Sequence, residues 1–285
     1  MTLYEEVRAA LRETHFRPKK SLGQNFLIHE QVIESILRLL EIESGDRVFE
    51  IGPGLGFLTR RLLERGATVW AVEVDAALIE RLRASDFADN SKLTLIAGDI
   101  LEISPELLPN GKVKLVGNLP YSIATPVLFR IFEWRAHFSG LVLMVQKEVA
   151  DRIAGAPGTK DYGTLSIWSQ VHGRIAEKVP VSPEAFFPRP KVRSTVLKIE
   201  LFSEPLIAAN EMPALRHLVR AAFGQRRKTL SNALASAARR PRAEIEKFLE
   251  SQNIDPQRRG ETLSVEEYVM LARAGQNQPL LSTGS

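Results

Sequence analysis

No cysteine occurs in this chain of 285 residues, which excludes a disulfide framework, thiolate zinc sites, iron–sulfur clusters and a cysteine nucleophile. No apolar run approaches the roughly 18 residues that a membrane span needs. The first twenty residues carry Glu5, Glu6, Arg8, Arg12, Glu13, Arg17, Lys19 and Lys20, so secretion is not expected. The expected compartment is the cytoplasm, with no membrane partner. The five histidines (His15, His29, His137, His172 and His217) lack metal-ligand spacing, and no metal is expected. Internal repeats and low-complexity tracts are also missing. What remains, 44% hydrophobic and 25% charged residues, is the balance of a globular chain, with length for one large domain or one domain and a small partner.

Acidic residues are missing from one stretch in particular. Between Arg216 and Arg242 stand Arg216, Arg220, Arg226, Arg227, Lys228, Arg239, Arg240 and Arg242 without a single Asp or Glu. Residues 186–285 hold 16 basic and 10 acidic side chains, a net +6, against a net −2 for the rest. A partner bearing phosphate fits that asymmetry.

Short β-branched runs alternate with helical patterns from residue 47 onward. Strands are expected at 47–51, 68–74, 93–97, 112–117 and 140–145, with amphipathic helices at 56–65, 76–84 and 124–133 between most of them. That alternation predicts a parallel α/β sheet. The spacing of Val32, Ile33, Ile36, Leu37, Leu39 and Leu40 predicts a helix over 30–40. Two more strands are expected at 175–179 and 195–201. Between them, Pro180, Pro183, Pro188 and Pro190 predict an extended loop over 179–193. Past Ser203 the stripes are helical: Leu215, Leu218, Val219 and Ala222; then Ile245, Phe248 and Leu249; then 265–272. The expected domains are 1–203, cofactor-binding and catalytic, and 204–285, a small all-helical RNA-binding domain ending in a loose tail from Gly275 to Ser285.

The run Val48-Phe49-Glu50-Ile51-Gly52-Pro53-Gly54-Leu55-Gly56 reads as a strand, a glycine-rich turn and a helix, which puts a cofactor at the strand's carboxyl end. The dinucleotide fingerprint G-x-G-x-x-G needs glycine at 57, and Phe57 stands there, which disfavours a nicotinamide enzyme. Glu73 ends the second strand 21 residues after Gly52, where a carboxylate accepts hydrogen bonds from ribose hydroxyls. That role is common to NAD and S-adenosylmethionine sites. Asp99 follows the third strand and suits an adenine amino group, with Ile100 packed on its ring. Each residue alone reads as an ordinary turn or cap; three at adjacent strand ends read as one ligand site.

The fourth strand ends in Asn118-Leu119-Pro120-Tyr121. An aromatic exocyclic amine is a poor nucleophile because its lone pair is delocalised into the ring. The Asn118 side-chain oxygen and the Leu119 carbonyl can accept its two N–H bonds, Pro120 stiffens the turn, and Tyr121 offers a face to the base. With an activated sulfonium donor, positioning supplies much of the rate and no strong base is needed.

With these motifs go Ser21-Leu22-Gly23-Gln24-Asn25-Phe26-Leu27, Gly98-Asp99-Ile100 and Phe186-Phe187-Pro188-Arg189-Pro190-Lys191-Val192. The whole set, over about 17–273, resembles the rRNA adenine N6-dimethyltransferases, the KsgA family. In the helical part, 223–230 and 261–268 resemble it too. The resemblance implies a class I S-adenosylmethionine-dependent methyltransferase with a Rossmann-like seven-stranded sheet, one strand antiparallel. It implies dimethylation of two adjacent adenines near the 3′ end of small-subunit (16S) rRNA, within an assembling 30S particle, by a monomer. It puts Gln24, Asn25 and Leu27 beside the cofactor, Gly52 and Gly54 against it by backbone, and Phe186 across the flipped base from Tyr121, as an enzyme acting on a base requires. Arg216, Arg220, Arg226, Arg227 and Lys228 are the expected RNA contacts. Two other readings remain: a large-subunit rRNA adenine methyltransferase of the macrolide-resistance type, and a ribosome-assembly or RNA-binding factor without turnover. The resemblance of the helical part argues against the first, and intact Glu73, Asp99, Asn118 and Tyr121 against the second.

Overall fold

The computed structural model describes residues 2–13, 18, 19, 22–85, 87–225 and 227–276. The chain divides into two compact units, one of residues 1–150 with 174–201 and one of residues 151–173 with 202–285. Residues 151–173 thus group with the helical part, whereas a single cut at 203 assigns them to the sheet.

In chain order the elements begin α1 (Leu3–Glu13), β1 (Phe26–Leu27), α2 (Glu30–Leu40), β2 (Arg47–Ile51), α3 (Phe57–Glu64) and β3 (Thr68–Glu73). Next come α4 (Ala76–Arg83), β4 (Leu93–Ala97), β5 (Val113–Asn118), α5 (Ala124–Glu133) and β6 (Phe138–Gln146). Then follow α6 (Lys147–Ile153), α7 (Thr164–His172), β7 (Gly173–Val181), β8 (Phe186–Phe187) and β9 (Ser194–Leu201). The last helices are α8 (Met212–Gly224), α9 (Leu230–Ala238), α10 (Arg242–Ser251) and α11 (Val265–Gln276).

Seven strands make the main sheet in the order β4-β3-β2-β5-β6-β9-β7. The first five pair in parallel and β9 runs antiparallel to β6. Because β2 has β3 on one side and β5 on the other, the chain changes direction across the sheet there, which opens a crevice at the strands' carboxyl ends. Both faces are covered. Val48, Val69, Ala71, Val116, Val142 and Val196 share a cluster with Ile33, Ile36 and Leu37 of α2 and Leu62 of α3. The alternate residues Phe49, Leu115, Leu141, Leu143 and Leu197 are buried as well. Two buried faces are why these strands read as unbroken apolar runs.

Three differences from the sequence reading have local causes. Strand β7 includes Pro180, which the proline pattern assigned to loop; β7 is an edge of the sheet, where a missing N–H costs no ladder bond. Within the expected loop, β8 pairs antiparallel with β1 through Phe26–Phe187 and Leu27–Phe186. Helices α1, α6 and α7 were not expected. In α1, Leu3, Val7, Ala10 and Leu11 are buried and Glu6 meets Arg60 at 2.7 Å, a helical spacing in a charge-rich segment. Helix α7 is buried over seven of its nine residues, so it lacks an amphipathic stripe.

In the helical unit, Leu215, Leu218, Val219 and Ala222 of α8 face inward. So do Leu230 and Leu234 of α9, Ile245, Phe248 and Leu249 of α10, and Tyr268 and Leu271 of α11. Arg258 grips Glu267 through two hydrogen bonds of 2.6 and 2.9 Å, and Tyr268 donates to the Gly260 carbonyl at 2.8 Å. Helix α11 runs to Gln276, so Gly275 and Gln276 are helical rather than tail; residues 277–285 lie outside the described residues. Among the described residues no helix is long and apolar enough to cross a membrane.

Candidate active site

The carboxyl ends of β2, β3, β4 and β5 converge on a cavity of about 220 Å³. The turn after β2 needs its glycines: Gly52, Gly54 and Gly56 have φ of 69°, 58° and 84°, the left-handed region that side chains disfavour. A Cβ on Gly52 would find only the Asn118 carbonyl at 4.0 Å, so the backbone there is open to a ligand. Gly56 is closed off instead, its Cβ position lying 2.7 Å from both Leu82 and Phe87.

Glu73, 7% exposed, ends β3. Its carboxylate accepts from the N–H groups of Gly54 (3.2 Å), Val74 (2.9 Å) and Asp75 (3.0 Å). Burial raises its pKa against those three donors. Asp99 receives the Leu101 N–H at 2.9 Å, with buried Ile100 beside it. At the end of β5, Asn118 donates Nδ2 to the Asn25 carbonyl at 3.2 Å. One of the two amide hydrogens is so engaged, and Oδ1 stands as an acceptor for a ligand. Leu119 continues the ladder by donating its N–H to Met144 at 3.0 Å. The Tyr121 hydroxyl meets Ser194 Oγ at 2.8 Å; burial raises its pKa, with that hydrogen bond opposing.

Gln24, Asn25, Leu27, Gly52, Gly54, Glu73, Asp99, Ile100 and Asn118 to Tyr121 all line this one cavity. Gln24 does so with its amide already used, accepting from the Lys19 N–H at 2.7 Å and donating to Asp75 at 2.8 Å. Phe186 is the exception. It is 2% exposed, part of the apolar cluster under the sheet and outside the cavity lining, so it offers no face to a base. Alternation along β8 turns Phe186 inward and leaves Phe187, only partly buried, as the other ring of the doublet. Of the expected RNA contacts, Arg216 and Arg220 on α8, with Arg227 and Lys228 beyond it, are exposed, and the Arg216 guanidinium lies over the Trp168 ring at 5.2 Å. Arg226, like Arg17, Lys20 and Ser21, lies outside the described residues.

Three residues that matter here were given no role from sequence. Glu50 is buried under the cavity, accepting from the Thr59 hydroxyl at 2.7 Å. Burial pushes its carboxyl up to about 7, the Thr59 bond opposing and the Glu73 charge adding to the rise. Asp75 caps α4 at Ala77 and pairs with Lys19 at 2.9 Å. Its burial raises the pKa, but Lys19, Gln24 and the Ala77 N–H outweigh this and hold it low. The signal for Asp75 was legible as an N-cap before a helical run. For Ser194 no such local signal exists.

The strand order, the open glycine turn and the carboxylates at successive strand ends are those of a class I S-adenosylmethionine-dependent methyltransferase. The same architecture recurs in the crystal structure of a dimethyladenosine transferase from Plasmodium falciparum, with a TM-score of 0.75 at 24% identity over 88% of this chain and 98% of that one. The 23S rRNA methyltransferase ErmE is also similar, at 0.66 and 24% identity, over 88% and 99%. Sequence narrows the class further. The family model for ribosomal RNA adenine dimethylase matches residues 15–273, and the chain belongs to that family. Ribosomal RNA small subunit methyltransferase A of Geobacter metallireducens is 44% identical over 269 residues, spanning 93% of this chain and 98% of its own length.

Proposed function

We propose that this chain is an S-adenosylmethionine-dependent rRNA adenine N6-dimethyltransferase. It acts on two adjacent adenines near the 3′ end of small-subunit (16S) rRNA, as a cytoplasmic monomer engaging an assembling 30S particle. The observation that carries this reading is the orientation of Asn118, whose amide nitrogen is held by Asn25 in the cavity that also contains Glu73 and Asp99.

The residues present fit the cofactor. Glu73 keeps an acceptor site on Oε2 beyond its three backbone donors for a ribose hydroxyl, Asp99 suits the adenine amino group with Ile100 against its ring, and the open backbone at Gly52 admits close approach. Asn25 and Leu27 border the same space, and Gln24, tied to Asp75, holds the segment that carries them. When bound, S-adenosylmethionine supplies an activated methyl group. The chain's own part is positional: Asn118 Oδ1 and the Leu119 carbonyl accept the amine's two N–H bonds in a geometry that favours a tetrahedral nitrogen, whose lone pair leaves conjugation with the ring and points toward the methyl group. Pro120 fixes that turn and the Tyr121 ring supports the base. A positioned amine and an activated methyl donor supply much of the rate, so no strong general base is needed. Phe186 serves the core under this site. Arg216, Arg220, Arg226, Arg227 and Lys228 contact rRNA phosphates.

The test is to map methylated adenines in rRNA from cells lacking this protein. Two adjacent unmethylated adenines near the 3′ end of small-subunit rRNA, restored by the purified enzyme, are expected. A lesion in large-subunit rRNA would favour the macrolide-resistance type, and an unaltered pattern would favour an assembly factor without turnover.

A further inference from the structure

Tyr121 closes the tetrapeptide that carries the chemistry, but a ring on which a base rests has no need of a hydroxyl. Phenylalanine presents an equivalent π face. The hydroxyl therefore has another use, and the one partner it has among the described residues is Ser194 Oγ at 2.8 Å. Ser194 is 1% exposed and opens β9, opposite Gln146 of β6. Its hydroxyl makes no other hydrogen bond among the described residues. A buried hydroxyl left unpaired is costly, so the serine is as unexplained without Tyr121 as the phenol is without Ser194.

The mechanics follow from where the two residues sit. Tyr121 lies in the turn between β5 and α5, outside any ladder, and its ring is only half-buried. Two side-chain torsions are thus available to it. Ser194 sits in the sheet, its strand paired with β6 from Ser194 to Thr195 and onward, and the residue before it accepts the Lys147 N–H at 2.9 Å. A hydrogen bond from the phenol of this half-buried ring to a ladder-held residue fixes the direction of the ring's long axis, and the preference of a phenolic O–H for the ring plane biases the plane toward the bond. Resting on the function proposed above, we infer that Ser194 is a positioning residue for methyl transfer: it holds the Tyr121 ring at the orientation in which the target adenine stacks with its amine at Asn118.

A tether acts on orientation at the reacting centre and leaves cofactor contacts alone, since neither Glu73, Asp99 nor the glycine turn touches it. The experiment is a double-mutant cycle with Tyr121→Phe, Ser194→Ala and the pair, in the full-length enzyme, using small subunits from cells lacking the protein as substrate. Each single variant should lower kcat roughly three- to tenfold, the scale of one neutral hydrogen bond. KM for the subunit and Kd for S-adenosylmethionine should stay within twofold. The double variant should be no slower than the slower single one, because both remove the same contact. In protein labelled with ¹³C-tyrosine, Ser194→Ala should shift the Tyr121 ring resonance, assigned by its loss in Tyr121→Phe. If both single variants keep kcat within twofold of wild type, or if their losses multiply in the double variant, the tether has no role in catalysis and the proposal falls. If wild-type enzyme itself transfers no methyl to these subunits, the functional reading fails instead, and the two failures are distinct.

Discussion

Asn118 earns its place by what happens to its nitrogen. Its bond to the Asn25 carbonyl at 3.2 Å favours the rotamer that leaves Oδ1 as an acceptor, the atom the proposed reading assigns to the substrate amine. Asn118→Ala should lower single-turnover methyl transfer by about a hundredfold or more, as loss of one preorganised polar contact does, with RNA affinity unchanged in filter binding. A rate within a few fold of wild type would remove Asn118 from the reaction. Glu50 has a different signature, a dependence on pH. Its carboxyl is raised by burial to about 7 from an ordinary 4.5, so between those values the folded state holds a proton the unfolded chain has released. Stability from this group is therefore lost as pH rises through that window. Glu50→Gln keeps an acceptor for Thr59 and abolishes the titration. Its stability relative to wild type, from urea unfolding, should increase by roughly 3 kcal/mol between pH 4.5 and 7.5. A difference that stays flat with pH would show that Glu50 titrates in the folded protein as it does in the unfolded chain.

At the scale of elements, the turn from β2 into α3 does most to shape the site, and its glycines are not equivalent. Gly56 has φ of 84°, and a Cβ there would lie 2.7 Å from Leu82 of α4 and from Phe87. Gly45, ahead of β2 and outside that turn, serves as a reference: its φ is 91° and it has nothing within 4 Å. Gly45→Ala should cost about 1 kcal/mol, the backbone contribution alone, whereas Gly56→Ala should cost about 2 to 4 kcal/mol by adding an overpacked contact. Equal unfolding midpoints for the two variants would mean that α4 yields freely. The segment around β1 works on the same turn from below. Phe26 lies 3.3 Å from the Cβ position of Gly54, and Gln24 ties the segment to the buried carboxylate of Asp75.

For the whole molecule, the division of labour between units is the testable feature. The cavity is lined by residues 22–144 alone, and the exposed cations Arg216, Arg220, Arg227 and Lys228 belong to the helical unit. If these four neutralise phosphates, log affinity for rRNA against log salt should slope by about −3 to −4, taking the duplex coefficient as a guide. Replacing Arg220, Arg227 and Lys228 by Gln should flatten the slope by about 2 to 3 while calorimetric S-adenosylmethionine affinity holds. An unchanged slope would make these side chains an ordinary solvated face and move RNA contact elsewhere.

The sheet strands, the glycine turn, Glu73, Asp99 and the Asn118 tetrapeptide were all legible in the chain. Each is a short local pattern: a run of residues buried on both faces, a φ that only glycine tolerates, a polar residue where a strand stops. The shared cavity for Gly52, Glu73, Asp99 and Asn118 followed from them, because parallel strands in one sheet bring their ends together, whereas Gln24, Asn25 and Leu27 were placed there by the family resemblance alone. What local pattern does not contain is pairing between distant segments. The antiparallel match of β1 with β8 decided that Phe186 is fully buried in the core and Phe187 only partly buried against it. The edge position of β7 decided that Pro180 could lie in a strand. Burial on every side hid α7 and moved residues 151–173 into the helical unit. Ser194 lies 73 positions from Tyr121, and only the placement of β9 beside β6 brings the two hydroxyls together, since a hydrogen bond depends on distance in space and leaves no trace in spacing along the chain.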